Sequence, residues 1–311
     1  MIKRFYRLRA DSAKVSIAPT NYRGWSDSIV LSNDKVEAIA VPTIGRIMQF
    51  RFAGEGEGPF WENTSMFGRL PSANSWDTPG SFGGDKAWPA PQSVWNWPPP
   101  RGFDSMVFTG AVVNGQVTLT GPVDSRFGIR VIRHIHLHPT EPLLQVTTTF
   151  EKVRGTTSRV SVWVVTQLED PMGLFLPVPG RSIFSRGYQV LGSAPKSIGL
   201  TNGVISLTRD PASSSKVGND ASSLLWVGEQ SVLLIESPRM PGLARNAYPD
   251  NGCSAEIYTN PNPASYIEGE FLGPLISLAQ GDSTSATSLY TLSRRTEATA
   301  FEEAVKILQV E

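Results

Sequence analysis

The sequence predicts an all-β fold closed by one short C-terminal helix. Three observations carry this. Short runs rich in Val, Ile, Thr and aromatic residues recur along most of the 311 residues, with Gly, Pro, Asn and Asp between them. Asn114-Gly115 joins two such runs as a two-residue hairpin, because both turn positions accept positive φ. Helical spacing is convincing only once, near the C-terminus.

Taken in order, strands are predicted over residues 36–41, 46–52, 106–113 and 116–120, then over 128–138, 143–150 and 158–167. Residues 224–227, 232–236, 254–259, 265–272 and 285–292 complete the set. The helix is predicted from Ala300, Phe301, Ala304, Val305 and Leu308, and Thr299 with Glu302 matches a capping box. No repeat of fixed period is visible, which weighs against a propeller. Large all-β folds commonly run beyond 250 residues as one unit, so a single domain over 1–311 is expected. Its core would span about 30–293, with the helix in 294–311.

Composition excludes several classes. Lys plus Arg and Asp plus Glu each number 28, so the net charge is zero, and no basic stripe offers itself to nucleic acid. With 40% hydrophobic residues the chain has enough apolar surface to fold. The longest strictly apolar runs are four residues, far short of the roughly 20 that a membrane span needs. The only cysteine, Cys253, rules out an internal disulfide. The basic start, Met1 to Arg9, lacks the apolar stretch of a secretory signal, so a cytoplasmic protein is expected, or a periplasmic or secreted one if a leader was removed.

Residues 60–103 have neither strand nor helix period, yet hold Trp61, Trp76, Trp88, Trp95 and Trp97 among several prolines. Such a segment reads either as a binding loop whose rings lie over sugar faces, or as a cap on the core. All three histidines fall in one predicted strand, where alternation puts His134, His136 and His138 on one face with Arg130 and Ile132. They offer a pair of zinc ligands, an acid/base group centred on His136, or an ordinary solvated face. Glu268 and Glu270 also share a strand face, where mutual repulsion suits one of them to acid/base work, unless the strand is simply a charged edge. No Gly-x-Ser-x-Gly elbow and no phosphate-cradling Gly-x4-Gly-Lys loop is present, and no cofactor or metal is expected.

Taken together, Val41 to Met48, Phe60 to Asn63, Gly83 to Gln92, Tyr248 to Gly252, Glu256 to Thr259 and Tyr266 to Pro274 resemble the galactose mutarotase-like (aldose epimerase-related) superfamily. Within it the likeness is greatest to a bacterial domain family of unassigned function. The resemblance spans about residues 30–293 and implies a large β-sandwich, or supersandwich, with a sugar on its concave face. It implies an aldose or uronic acid epimerase or mutarotase with Glu270 as base, Glu268 as its alternative, and His136 as a replacement acid. The family's histidine is missing at both expected places: Arg101 stands at one and the stretch around Gln167 at the other. Ligand-binding residues implied are Arg46, Asp85, Lys86, Trp88, Gln92, Arg101, Gln167 and Asp250. Arg46, Lys86 and Arg101 suggest an anionic sugar, unless each pairs with a nearby acid. A sugar-binding protein without catalysis is the competing expectation.

Overall fold

The computed structural model describes residues 15–71 and 82–308. In chain order the strands begin with β1 (Ser16–Tyr22), β2 (Trp25–Ser32), β3 (Val36–Val41), β4 (Arg46–Phe52) and β5 (Asp85–Ala90). They continue with β6 (Thr109–Val113), β7 (Gln116–Val123), β8 (Ile129–Leu137), β9 (Leu143–Lys152), β10 (Ser158–Glu169) and β11 (Gly173–Pro177). Then come β12 (Gln189–Val190), β13 (Ile198–Thr201), β14 (Val204–Leu207), β15 (Ser215–Asn219) and β16 (Ser223–Val227). The last are β17 (Ser231–Glu236), β18 (Ala255–Thr259), β19 (Tyr266–Leu272), β20 (Ile276–Leu278) and β21 (Ser283–Arg294). Helix α1 (Arg101–Asp104) lies between β5 and β6, and α2 (Ala300–Leu308) follows β21.

Among the described residues these strands form two sheets packed face to face. The first runs β1-β2-β3-β4-β5-β10-β19-β18-β15-β12, with β20 also paired to β10. The second runs β13-β14-β11-β16-β17-β21-β9-β8-β7-β6. One hydrophobic core lies between them, drawing Ile47, Val162 and Ile267 from the first sheet and Val131, Ile135 and Val146 from the second. Strand β8 shows how the sequence encodes this: buried and half-buried residues alternate along its nine positions. Arg133, on the inward face of that strand, is as buried as its apolar neighbours. Helix α2 packs on the outside of the second sheet beside Phe175 and Val232. Its predicted capping box is reciprocal: Glu302 N donates to Thr299 Oγ1 at 3.1 Å and Thr299 N donates to Glu302 Oε2 at 3.0 Å.

Strands β3 and β4 match their predicted limits. The strand predicted from Met106 starts only at Thr109, because Phe108 turns inward over Gly45 and Gly121. The segment 60–103 is not wholly irregular, since it contains β5, a strand buried at all six positions. Burial on both faces leaves no period to read. Pro89 also argues against a central strand. It is accommodated because β5 ladders fully with β10 but meets β4 only at Ile47–Asp85. Trp76 and the basic N-terminal segment lie outside the described residues.

Two glycines deliver the chain into β5. Gly83 and Gly84 have φ of 97° and 68°, and a Cβ would overlap the Trp61 carbonyl at the first and the Ile47 carbonyl at the second. Gly83→Ala is expected to destabilise the protein by at least about 2 kcal/mol, from backbone strain and overlap combined. Urea denaturation checks this, and a loss below ~1 kcal/mol would show that the turn relaxes freely.

Candidate functional site

Five neighbouring strands of the first sheet, β5, β10, β19, β18 and β15, form the floor of a cleft of about 950 Å³ on the outer face of that sheet. Antiparallel register decides which side chains meet there. One row sets Gln167 beside Glu268, Glu268 beside Tyr258, and Tyr258 beside Lys216. The next sets Lys86 beside Val165, Val165 beside Glu270, and Glu270 beside Glu256. A third sets Trp88 beside Trp163. Residues of one row share a sheet face, so these groups point outward while Asp85, Thr166 and Ile267 point into the core.

The aromatic wall is built around Trp88. Its ring meets Trp163 at 5.5 Å, Trp95 at 6.1 Å and Trp97 at 6.4 Å between centroids, each near edge to face. Trp95 packs into the core, whereas Trp97 stands 65% exposed at the cleft rim. Trp61 packs on Tyr266 with centroids 4.8 Å apart. Within the tryptophan-rich segment, Trp95 therefore caps the core while Trp88 and Trp97 line the cleft.

Ion pairs occupy the cleft floor. Lys86 Nζ lies 3.6 Å from Glu268 Oε1, which also accepts from Gln167 Nε2 at 3.0 Å. The Lys86 ammonium sits 4.4 Å from the Trp88 ring centroid. Glu270 Oε2 accepts from Trp163 Nε1 at 2.6 Å and from Lys216 Nζ at 2.8 Å. Asp104 Oδ1 accepts from Trp88 Nε1 at 2.9 Å and from Arg46 Nη2 at 2.8 Å. Burial dominates the electrostatics and favours neutral forms. It pulls Lys86 down to about 8, with Glu268 opposing and Arg46 adding to the shift. Burial also raises Glu268 above the usual carboxylate range, with Lys86 opposing and Glu270 reinforcing. The proton affinities of the two groups are thus closer together than they would be in water.

Of the residues expected from sequence, Glu268, Glu270, Lys86, Trp88, Gln92 and Gln167 line this cleft. Five others do not. Arg46 is buried behind it, donating to Asp104 and to the Gly83 carbonyl at 2.9 Å. Asp85 points into the core, where it contacts Arg133 of the second sheet and accepts from Thr166 Oγ1 at 2.7 Å and Tyr290 OH at 2.6 Å. Arg101 is exposed on α1, and Asp250 is half-buried in the turn before β18. His136 lies on the outer face of the second sheet, on the opposite side of the sandwich, with His134 bonded there to Thr118 at 3.0 Å. Alternation correctly put the histidines on one face, but it does not say which sheet's outer face is concave. The zinc option finds no third ligand: the described residues hold no cluster of three or more metal-ligating side chains.

Sequence reasoning missed Lys216, Glu256, Tyr258, Trp163 and Asp104. A signal for two of them was present. Glu256 and Tyr258 alternate on a predicted strand joined by a short Asn-Pro turn to the strand bearing Glu268 and Glu270, and hairpin pairing puts all four on one face. Lys216, in a serine-rich stretch, gave none.

No protein-family model and no curated protein matches the chain. Solved structures do. A galactose mutarotase-like protein from Lactobacillus casei is 11% identical with a TM-score of 0.55, over 86% of this chain and 100% of that one. A galactose mutarotase related enzyme from Lactobacillus acidophilus is 10% identical with a TM-score of 0.54, over 88% and 98%. A galactose mutarotase-like protein from Clostridium acetobutylicum is 9% identical with a TM-score of 0.54, over 91% and 99%. The fold is the galactose mutarotase-like β-sandwich. At such identities the likeness is one of architecture, and the chemistry must be argued from the cleft.

Proposed function

We propose that the cleft binds a carbohydrate and interconverts its anomers by general acid/base catalysis. The observation that supports this reading most is the Glu268–Lys86 contact on the cleft floor beneath a wall of tryptophans, each partner shifted toward neutrality. Glu268 takes the proton from the anomeric hydroxyl while Lys86 gives its proton to the ring oxygen. The bond from the anomeric carbon to the ring oxygen breaks, leaving an open-chain aldehyde. Rotation about the next carbon–carbon bond and reclosure, with the proton transfers reversed, yields the other anomer. Trp163 and Lys216 already engage Glu270, so the proton transfer is assigned to Glu268. Lys86 takes the acid role that the family resemblance implied for His136, which faces away from the cleft.

The charge distribution supports an uncharged ligand rather than an anionic one. Lys86 contacts Glu268, Lys216 contacts Glu256 and Glu270, and Arg46 contacts Asp104, so a phosphate or carboxylate would compete with carboxylates for each cation. A second reading, binding without catalysis, is favoured by that same pairing, since a lysine held by a glutamate donates less readily.

Exchange between α and β signals, followed by proton NMR over a panel of neutral aldoses and uronic acids, separates the two. Acceleration above the spontaneous rate supports catalysis. Sugar-induced melting shifts without acceleration support binding alone. Trp97→Ala is expected to weaken sugar affinity about tenfold under either reading, the equivalent of ~1.4 kcal/mol of lost apolar contact. Calorimetric titration measures it, and an unchanged affinity would remove Trp97 from the site.

A further inference from the structure

Next to the proposed acid/base pair sits a carboxyl group that the chemistry above leaves unused. Glu256 is fully buried and stands directly opposite Glu270 across the β18–β19 ladder. Lys216 reaches over from β15 and divides its ammonium between them, 2.7 Å from Glu256 Oε2 and 2.8 Å from Glu270 Oε2. The Trp163 ring lies against the same ammonium, 4.6 Å away at its centroid. Gly218 makes the room: it is the cross-strand partner of Glu256, and a Cβ there would come 2.9 Å from Glu256 Cγ and 2.7 Å from Cys253 Sγ.

Two carboxylates and one ammonium do not balance in so dry a place. Ionising both glutamates sets like charges on neighbouring strands, with one cation between them. We infer that Glu256 is a positioning residue, which seats Lys216 against Glu270 and so fixes the Glu270 side chain beside Glu268. Glu256 does this at a site that disfavours its charged form. Burial raises its proton affinity well above the usual carboxylate range, Lys216 opposes, and Glu270 and Asp250 add to the rise. The titratable groups around it are Lys216 on β15, Glu270 on β19, and Cys253 and Asp250 at the turn before β18. Burial alone would pull Lys216 down, but its two carboxylate contacts outweigh that and raise it. The perturbed glutamate and the seated lysine stand on this geometry; their effect on anomer exchange rests on the proposed function.

The full-length protein, labelled with carbon-13 at its glutamate carboxyls, tests this by NMR titration from about pH 4 to about pH 10. One carboxyl is expected to titrate well above the ordinary glutamate range, to vanish in Glu256→Gln, and to move higher still in Lys216→Gln, where the opposing cation is gone. An ordinary titration for the carboxyl lost in Glu256→Gln overturns the inference. So does a position unmoved in Lys216→Gln, which decides alone if the first variant does not fold. Anomer exchange gives a second readout. Glu256→Leu should lower the rate about tenfold to a hundredfold through misplacement of the pair, whereas Glu256→Gln, which keeps an oxygen on Lys216, should lose distinctly less. Equal losses would overturn the positioning role. If the wild type exchanges no anomers, the enzymatic reading falls and the carboxyl titration still decides this one.

Discussion

Replacing Glu268 by Gln is expected to slow anomer interconversion by about 10²–10⁴-fold, the range that a positioned proton-transfer group supplies. Glutamine fills the same space and can still bond to Gln167, so the protein should remain folded. Lys86→Met should give a loss of similar size, because it removes the proton donor to the ring oxygen. The double variant should be no worse than either single one, since the two groups act as a unit. Rates that match wild type in Glu268→Gln would end the acid/base assignment. The pH profile adds an independent sign. Lys86 acts as an acid only while protonated, so the rate should fall as pH rises through about 8. Stability should move the opposite way. Between about 8 and the ordinary lysine value of 10.5 the unfolded chain binds more protons than the folded one, so the stability contribution of this group rises with pH across that window.

Asp85→Ala is expected to cost about 3–5 kcal/mol of stability, the largest structural effect of any single change proposed for this molecule. The carboxylate is the shared acceptor for Arg133, Thr166 and Tyr290, all buried between the sheets. Its removal leaves a guanidinium and two hydroxyls in the core without that acceptor. Denaturant unfolding and calorimetry would register this as a lower midpoint. Asp85→Leu combined with Arg133→Met should recover most of the loss, because apolar replacement of a whole buried pair is often neutral. An Asp85→Ala protein within ~1 kcal/mol of wild type would show that water reaches the network.

How much was legible depended on how many faces each strand buries. Strands β8 and β9 sit in the second sheet with one face open, and their alternation shows which face is buried and their limits to within two residues. Strand β5, covered on both sides and carrying Pro89, gave nothing, although it bears Asp85, Lys86 and Trp88. The acidic pair was readable because a strand face needs only a period of two. The acid partner was not, because facing residues come from strands distant in sequence. His136 and Glu270 each had a correct local face but belong to opposite sides of the sandwich, whereas Lys86 and Glu268 meet through β10, which lies between their strands. Lys216 is placed by a short strand whose serine and glycine, following a run of serines, read as a loop.

The alternation along β5 and β10 puts structural and chemical duties on adjacent residues. Asp85 and Thr166 face inward to the polar tie between sheets, while Lys86 and Gln167 face outward to the cleft. A library that randomises positions 86, 167, 258 and 268 therefore leaves that tie untouched. Such a scaffold should accept new ligands without being rebuilt, which makes the cleft face suited to directed evolution and natural divergence of specificity easy to reach.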